Sequence, residues 1–170
     1  MSLRSFIFFA ISLLFIRTDL SAQLNKKQFK ISDLSKSIGK WNGTLTYLDY
    51  TSGKPYTMPA DIIISFTTNK LGYIISYNYP NEPNANSKDT TYANGWGKYF
   101  GKEKVVSFNK SKSGEFTLIT EFEDIDGNDK KEALIKHIYR LEGNSFSIRK
   151  DVKFKGTTNW LNRHEYLFNK

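Results

Sequence analysis

"EALIKHIYRLEGNSFSIRKDVKF", Glu132 to Phe154, is the stretch on which the fold turns. In an extended chain residues i and i+2 share a face, so the two faces can be read separately. Ala133, Ile135, His137, Tyr139 and Leu141 fall on one face, Lys136, Ile138, Arg140 and Glu142 on the other. Gly143-Asn144 is turn chemistry. Beyond it Phe146, Ile148, Lys150, Val152 and Phe154 alternate with Ser145, Ser147, Arg149, Asp151 and Lys153. Two strands with one apolar face each, joined by a tight turn, predict a hairpin that buries one side and wets the other.

The pattern continues in both directions. Phe116, Leu118, Thr120 and Phe122 precede the hairpin on the apolar side, opposite Thr117, Ile119, Glu121 and Glu123. Trp160, Asn162, His164, Tyr166 and Phe168 follow it, opposite Arg163, Glu165 and Leu167. The second set reads as the outer face, where opposite charges pair across strands in water. Its arginines are expected to be solvated cross-strand partners.

Across the whole chain the predicted strands are 41–50, 59–68, 71–79, 89–94, 97–109, 115–124, 131–142, 144–155 and 159–169. Turn residues separate them, among them Ser52-Gly53-Lys54-Pro55, Asn94-Gly95, Ser113-Gly114 and Asp126-Gly127-Asn128. Short connections pair sequential neighbours, giving an antiparallel meander. A meander leaves two exposed edges unless it closes, so the fold class is all-β, an up-and-down barrel of about 8–10 strands, preferred over a two-sheet sandwich. "KISDLSKSI", Lys30 to Ile38, reads as a short N-terminal helix, with Ile31, Leu34 and Ile38 on one side and Gly39 ending it. "YPNEPNANSKD", Tyr79 to Asp89, is too polar for a strand and is either a rim loop over a barrel mouth or an idle surface loop.

Residues 1–22 carry Arg4, an apolar run from Phe6 to Ile16 and the small Ala22, the form of a secretory signal cleaved before Gln23. The run is shorter than the roughly twenty residues a crossing helix needs. The expected domains are therefore a 1–22 signal peptide and a 23–170 barrel, with no transmembrane segment in the mature chain and a periplasmic or secreted location. There is no cysteine, so no disulfide framework is needed and no lipid-modified cysteine is available. The net charge of +8 favours anionic partners, an envelope surface among them. The lysines are otherwise interleaved with Asp and Glu, which argues against a nucleic-acid surface.

Catalytic signatures are lacking: there is no G-x-S-x-G and no histidine placed beside a serine. Asp124, Asp126, Asn128 and Asp129 lack the glycine and glutamate spacing of a calcium loop and read as a hairpin turn. Gly95 to Gly101 likewise reads as a hairpin, lacking the strand-to-helix setting of a phosphate site. No enzyme, cofactor or metal is expected.

Four polar side chains interrupt the inner face near mid-strand: Thr120, His137, Lys150 and His164. Burying an unpaired ammonium costs several kcal/mol, about enough to forbid it. Alternation places no carboxylate on the inner face of the same four strands, which leaves a wet lumen, a ligand that brings negative charge, a partner such as Asp49 or Asp61 in a packed core, or a bulge that shifts the faces. A lumen of apolar walls and a few convergent polar groups suits a small hydrophobic or amphipathic anionic ligand of the fatty-acid kind. Lys150, His137, His164 and Thr120 would meet its head group, and Phe116, Tyr139, Ile148, Tyr166 and Phe168 its tail.

Gly39-Lys40-Trp41, a G-x-W opening the first strand after a short helix and before a meander, resembles the lipocalin-like (calycin) barrels, in particular exported bacterial ones. The resemblance implies that Trp41 packs at the barrel base, that Gly39 and Trp41 are structural, that a late arginine, Arg163 here, lies over the tryptophan, and that the barrel is a carrier or scavenger of small hydrophobic molecules. The T-D-Y motif of true lipocalins is replaced by "DTTY" at Asp89 to Tyr92. His164 on the last strand is also similar to the late iron-binding histidine of nitrobindin-type barrels, which implies haem as a minor alternative. The alternative from a different class is an envelope interaction module with a solid barrel.

Overall fold

The computed structural model describes residues 28–49, 51–128 and 130–170; the predicted signal, 1–22, lies outside them. A 3-10 helix, Ile31–Ser37, leads into eleven strands: β1 Gly39–Leu48, β2 Pro55–Pro59, β3 Asp61–Phe66, β4 Gly72–Asn78, β5 Ser87–Asn94, β6 Tyr99–Phe100, β7 Glu103–Lys110, β8 Phe116–Asp126, β9 Lys131–Glu142, β10 Ser145–Phe154 and β11 Leu161–Asn169. Each pairs with its sequence neighbour, except that β1 takes both β2 and β3 on one side. On its other side β1 pairs antiparallel with β11, from Asn42↔Asn169 to Tyr47↔His164. That pairing closes the sheet. Counting β2 and β3 as one strand kinked at Ala60, the result is a closed antiparallel barrel of ten strands.

Closure requires backbones to approach closely at one point. At Gly43 a β-carbon would stand 2.1 Å from the Leu167 carbonyl oxygen and 2.7 Å from the Phe168 ring. Gly43 also accepts the Ala60 amide at 3.0 Å, at the kink between β2 and β3. Only glycine fits where the seam and the kink meet.

One end of the barrel is plugged. Gly39, with φ +126, lets the chain swing from the 3-10 helix straight into β1. Trp41 is 1% exposed and donates its Nε1–H to the Ser37 carbonyl at 2.7 Å. Its ring lies 5.7 Å from Phe146, while Phe29, Ile31 and Leu34 of the entering segment are buried beside it. The cation over Trp41 is not Arg163 but Lys170, whose Nζ sits 4.2 Å from the ring and donates to the Ile38 carbonyl at 3.0 Å. The base therefore holds the starts of β1, β4, β8 and β10 and the ends of β3, β5, β7, β9 and β11. The opposite end is the mouth.

The inner face follows the alternation, with Phe116, Leu118, Thr120, Ala133, Ile135, Leu141, Phe146, Ile148, Val152, Tyr166 and Phe168 all buried. It fails at one place, and the reason is a bulge. Lys150 faces His164 but Asp151 faces Asn162, so Arg163 is an extra residue on β11. Parity slips there. Arg163, expected outside, has a side chain only 10% exposed. Trp160, expected inside, lies outside β11 with the amines of Lys136 and Lys153 over its ring at 3.8 and 5.1 Å.

Other boundaries moved for local reasons. The expected strand 97–109 is broken by Gly101-Lys102 into β6 and β7, and Pro55–Pro59, read as a turn and its exit, is strand β2. Among the described residues no helix is long and apolar enough to cross a membrane.

Candidate ligand-binding site

The four polar residues that interrupt the inner face are consecutive rungs of one ladder. Thr120 faces His137, His137 faces Lys150, Lys150 faces His164, and His164 faces Tyr47 across the closing seam. Strand register thus gathers them into a belt around the inside wall.

Two carboxylates serve this belt. Glu103, first residue of β7, holds His137 Nδ1 at 2.9 and 3.0 Å through its two oxygens and accepts the Thr120 hydroxyl. Asp126, last residue of β8, accepts Lys150 Nζ on Oδ1 at 2.6 Å and Arg163 Nε on Oδ2 at 2.6 Å. The inward carboxylate thought to be missing is therefore present. In the sequence Asp126 reads as part of the Asp-Gly-Asn turn. Six extended residues beyond Thr120 would carry it about 20 Å past the belt, out of a lysine's reach. Instead Glu123, Asp124 and Ile125 are exposed and Asp126 is buried again. The β8–β9 tip curls inward and returns its acid to the mouth.

Electrostatics inside the wall are uneven. Burial alone would raise the Asp126 carboxyl, but the hydrogen bonds and charges of Lys150 and Arg163 outweigh it and hold the group below the usual carboxylate range. His164 has no such carboxylate in contact. Burial, helped by the nearby His137 and Lys150, pushes it down to about 4, so its imidazole is neutral at neutral pH. Its ring packs edge-on to Tyr166 at 5.5 Å, and its nitrogens make no hydrogen bond to another described residue. Burial also raises the hydroxyls of Tyr77, Tyr139 and Tyr166, which stay protonated donors. Tyr79 and Tyr166 share a hydrogen bond of 2.7 Å between their hydroxyl oxygens.

The barrel is not filled. A cavity of about 450 Å³ runs below the belt, with Tyr77, Tyr139, Ile148, Glu103 and His137 on its wall. A second of about 360 Å³ lies toward the mouth, with Tyr47, Met58, Lys150 and Arg163. Tyr79, His164 belong to both. The segment 79–86 is a rim loop, with Glu82 and Ala85 bordering the upper cavity, while Ser87, Lys88 and Asp89, expected to belong to the loop as too polar for a strand, pair with β4 as the start of β5. Clefts of about 590 and 640 Å³ lie outside, at the β8–β10 rim and beside the 3-10 helix, and neither touches the belt.

Of the residues expected to meet a ligand, His137, Tyr139, Ile148, Lys150, His164 and Tyr166 line these cavities. Thr120 is fully buried behind Glu103, and Phe116 and Phe168 belong to the packed base with Phe146. Strict alternation could place them on the inner face but not say at which height the lumen ends. Glu103, Asp126, Arg163, Tyr77 and Tyr79 were missed. The first three sit beside a turn or a bulge, where alternation carries no information.

No protein-family model matches the chain, and no curated protein matches it. Solved structures resemble it in shape. Rv2717c from M. tuberculosis is 12% identical, with 81% of this chain and 96% of that chain covered at a TM-score of 0.46. The S-type phycobiliprotein lyase CPES from Guillardia theta is 11% identical, with 85% of this chain and 98% of that chain covered at 0.44. The fold is lipocalin-like. The closed antiparallel meander carries that likeness. Likeness this loose carries nothing about what a lipocalin-like chain binds.

Proposed function

We propose that this barrel binds a small amphipathic molecule with an anionic head group, of the fatty-acid kind, and acts as a carrier or scavenger in the periplasm or outside the cell. The observation that carries it is the wall of the upper cavity, where Lys150 and Arg163 share the single carboxylate of Asp126. Two cations converge on one buried anion there, with the carboxylate of Glu82 on the rim loop at the border of the same cavity. An ammonium has three donors and Asp126 takes one of those on Lys150. The head group docks there, and the tail passes His164 and Tyr79 into the lower cavity against Ile148, Tyr139 and Phe100. The two cavities fall within the size range of small-molecule sites, about 300 to 1,000 Å³.

The test is displacement of a fluorescent fatty-acid probe by unlabelled fatty acids. The chain as isolated should bind the probe. Lys150→Met should weaken it about tenfold, the loss of one charge-assisted hydrogen bond. Ile148→Trp, which fills the lower cavity, should abolish it. Failure of the unaltered protein to bind any acyl chain overturns the reading.

A second reading rests on the neutral His164, whose unbonded ring nitrogens border both cavities. A haem group would find an uncharged axial ligand there. Added haemin should then give a Soret band that His164→Ala removes. No band with the unaltered protein ends that reading.

A further inference from the structure

We infer that the plugged base of the barrel docks on an anionic phospholipid surface, with Trp96 and Leu71 as the parts that enter the lipid interface. This is independent of what the lumen holds.

The β3–β4 and β5–β6 turns stand side by side at the base, because β4 and β5 are paired neighbours. Their tips carry Leu71, 64% exposed, and Trp96, 86% exposed, with Tyr92 exposed between them. Singly exposed apolar residues need no explanation, but these three border one cleft of about 640 Å³. Trp96 is also held outward. It has φ +59, a region a bulky side chain rarely adopts, and its carbonyl accepts the Gln28 side-chain amide. Next to it, a β-carbon on Gly97 would stand 2.1 Å from the Phe29 carbonyl oxygen, so the turn is seated hard against the entering segment. The turn projects a tryptophan that could have been avoided at lower backbone cost.

Charge selects the partner. Lys30 and Lys70 border the cleft, Lys98 sits on the Trp96 turn, and no Asp or Glu among the described residues lines it. Lys36, Lys40, Lys112 and Lys170 are exposed at the same end. Its carboxylates are engaged: Asp33 with Lys110 at 3.2 Å, Glu142 with Arg140 at 3.8 Å, and Glu115 with the Gly143 amide. At the mouth, by contrast, Asp49, Glu82, Glu123, Asp124 and Glu132 offset the bases. The positive charge of the described residues is thus concentrated on the end that projects a tryptophan. An indole is suited to the headgroup level, its ring in the apolar layer and its N–H in the wet one. Lysines around it add attraction to anionic lipid.

The experiment mixes the protein, as isolated, with vesicles of phosphatidylcholine alone or with phosphatidylglycerol, using acyl chains brominated to quench tryptophan. Emission should be quenched by the anionic vesicles, weakly by the neutral ones, and less as salt is raised. Trp96→Asn should lose the quenching while folding normally, since asparagine accepts the left-handed backbone. Trp41 and Trp160 remain as internal controls. Lys70→Gln and Lys98→Gln should each weaken binding about fivefold. Equal quenching in Trp96→Asn and the unaltered chain overturns the inference. So does a dimer that separates on Trp96→Asn without vesicle binding, which would assign the surface to a second copy of the chain.

Discussion

Lys150 on β10 and Asp126 at the tip of β8 meet at 2.6 Å inside the mouth, and Arg163 takes the other oxygen of the same carboxylate. The Asp126 side chain is 3% exposed, that of Lys150 21%. The acid is therefore the deeper member, and its loss should cost more. Asp126→Asn leaves two cations facing each other and should lower unfolding free energy by ~3 kcal/mol. Lys150→Met leaves Asp126 bonded to Arg163 and should cost ~1–2 kcal/mol. Urea denaturation of the two variants decides it, and the reverse order would mean the pair is not formed in solution. Asp126 titrates below its unfolded value, so its contribution is present above about pH 3.9 and is lost as pH falls through the lower folded value. Asp126→Asn should remove that part of the acid transition.

His164 gives a second pH dependence at a higher range. Its folded pKa is lowered to about 4 from an ordinary 6.5, so between those values the unfolded chain binds the extra proton. Stability is full above pH 6.5 and declines as pH falls toward 4, by roughly 2–4 kcal/mol. His164→Phe should flatten that slope. Direct NMR titration of the imidazole is the sharper measurement, and a midpoint near 6.5 would contradict the buried, neutral ring.

The seam offers a test of closure. Gly43→Ala places a methyl group 2.1 Å from the Leu167 carbonyl, backbone that cannot swing aside. β1 must separate from β11, and the cost should be ~3 kcal/mol or more. Amide hydrogen exchange should rise along Gly43–Tyr47 and His164–Asn169, with the 3-10 helix and β8–β9 unchanged. A variant as stable as the original, with the seam protected, would show that β1–β11 pairing does not close the barrel.

Much of this was legible in the residues themselves. Side-chain alternation from Phe116 onward requires strands with one dry face, turn residues set their order, and an unbroken meander asks for closure. The belt was visible too, as four polar residues at mid-strand on an otherwise apolar face. What alternation cannot encode is anything that breaks its period of two. One extra residue at Arg163 reversed the faces beyond it, bringing an arginine in and putting Trp160 out.

Local sequence, through pattern and turn chemistry, determined the all-β class, the meander and the inward Lys150. Only the tertiary structure decided that Lys150 has a partner, because Asp126 reaches it through a hairpin tip curling across two neighbouring strands. It also decided how far the lumen extends, since Phe116 and Phe168 share a face with Ile148 yet pack at the base. Periodicity fixes which way a side chain points. Register, closure and curvature fix what it meets there, and those arise from contacts between residues far apart in the chain.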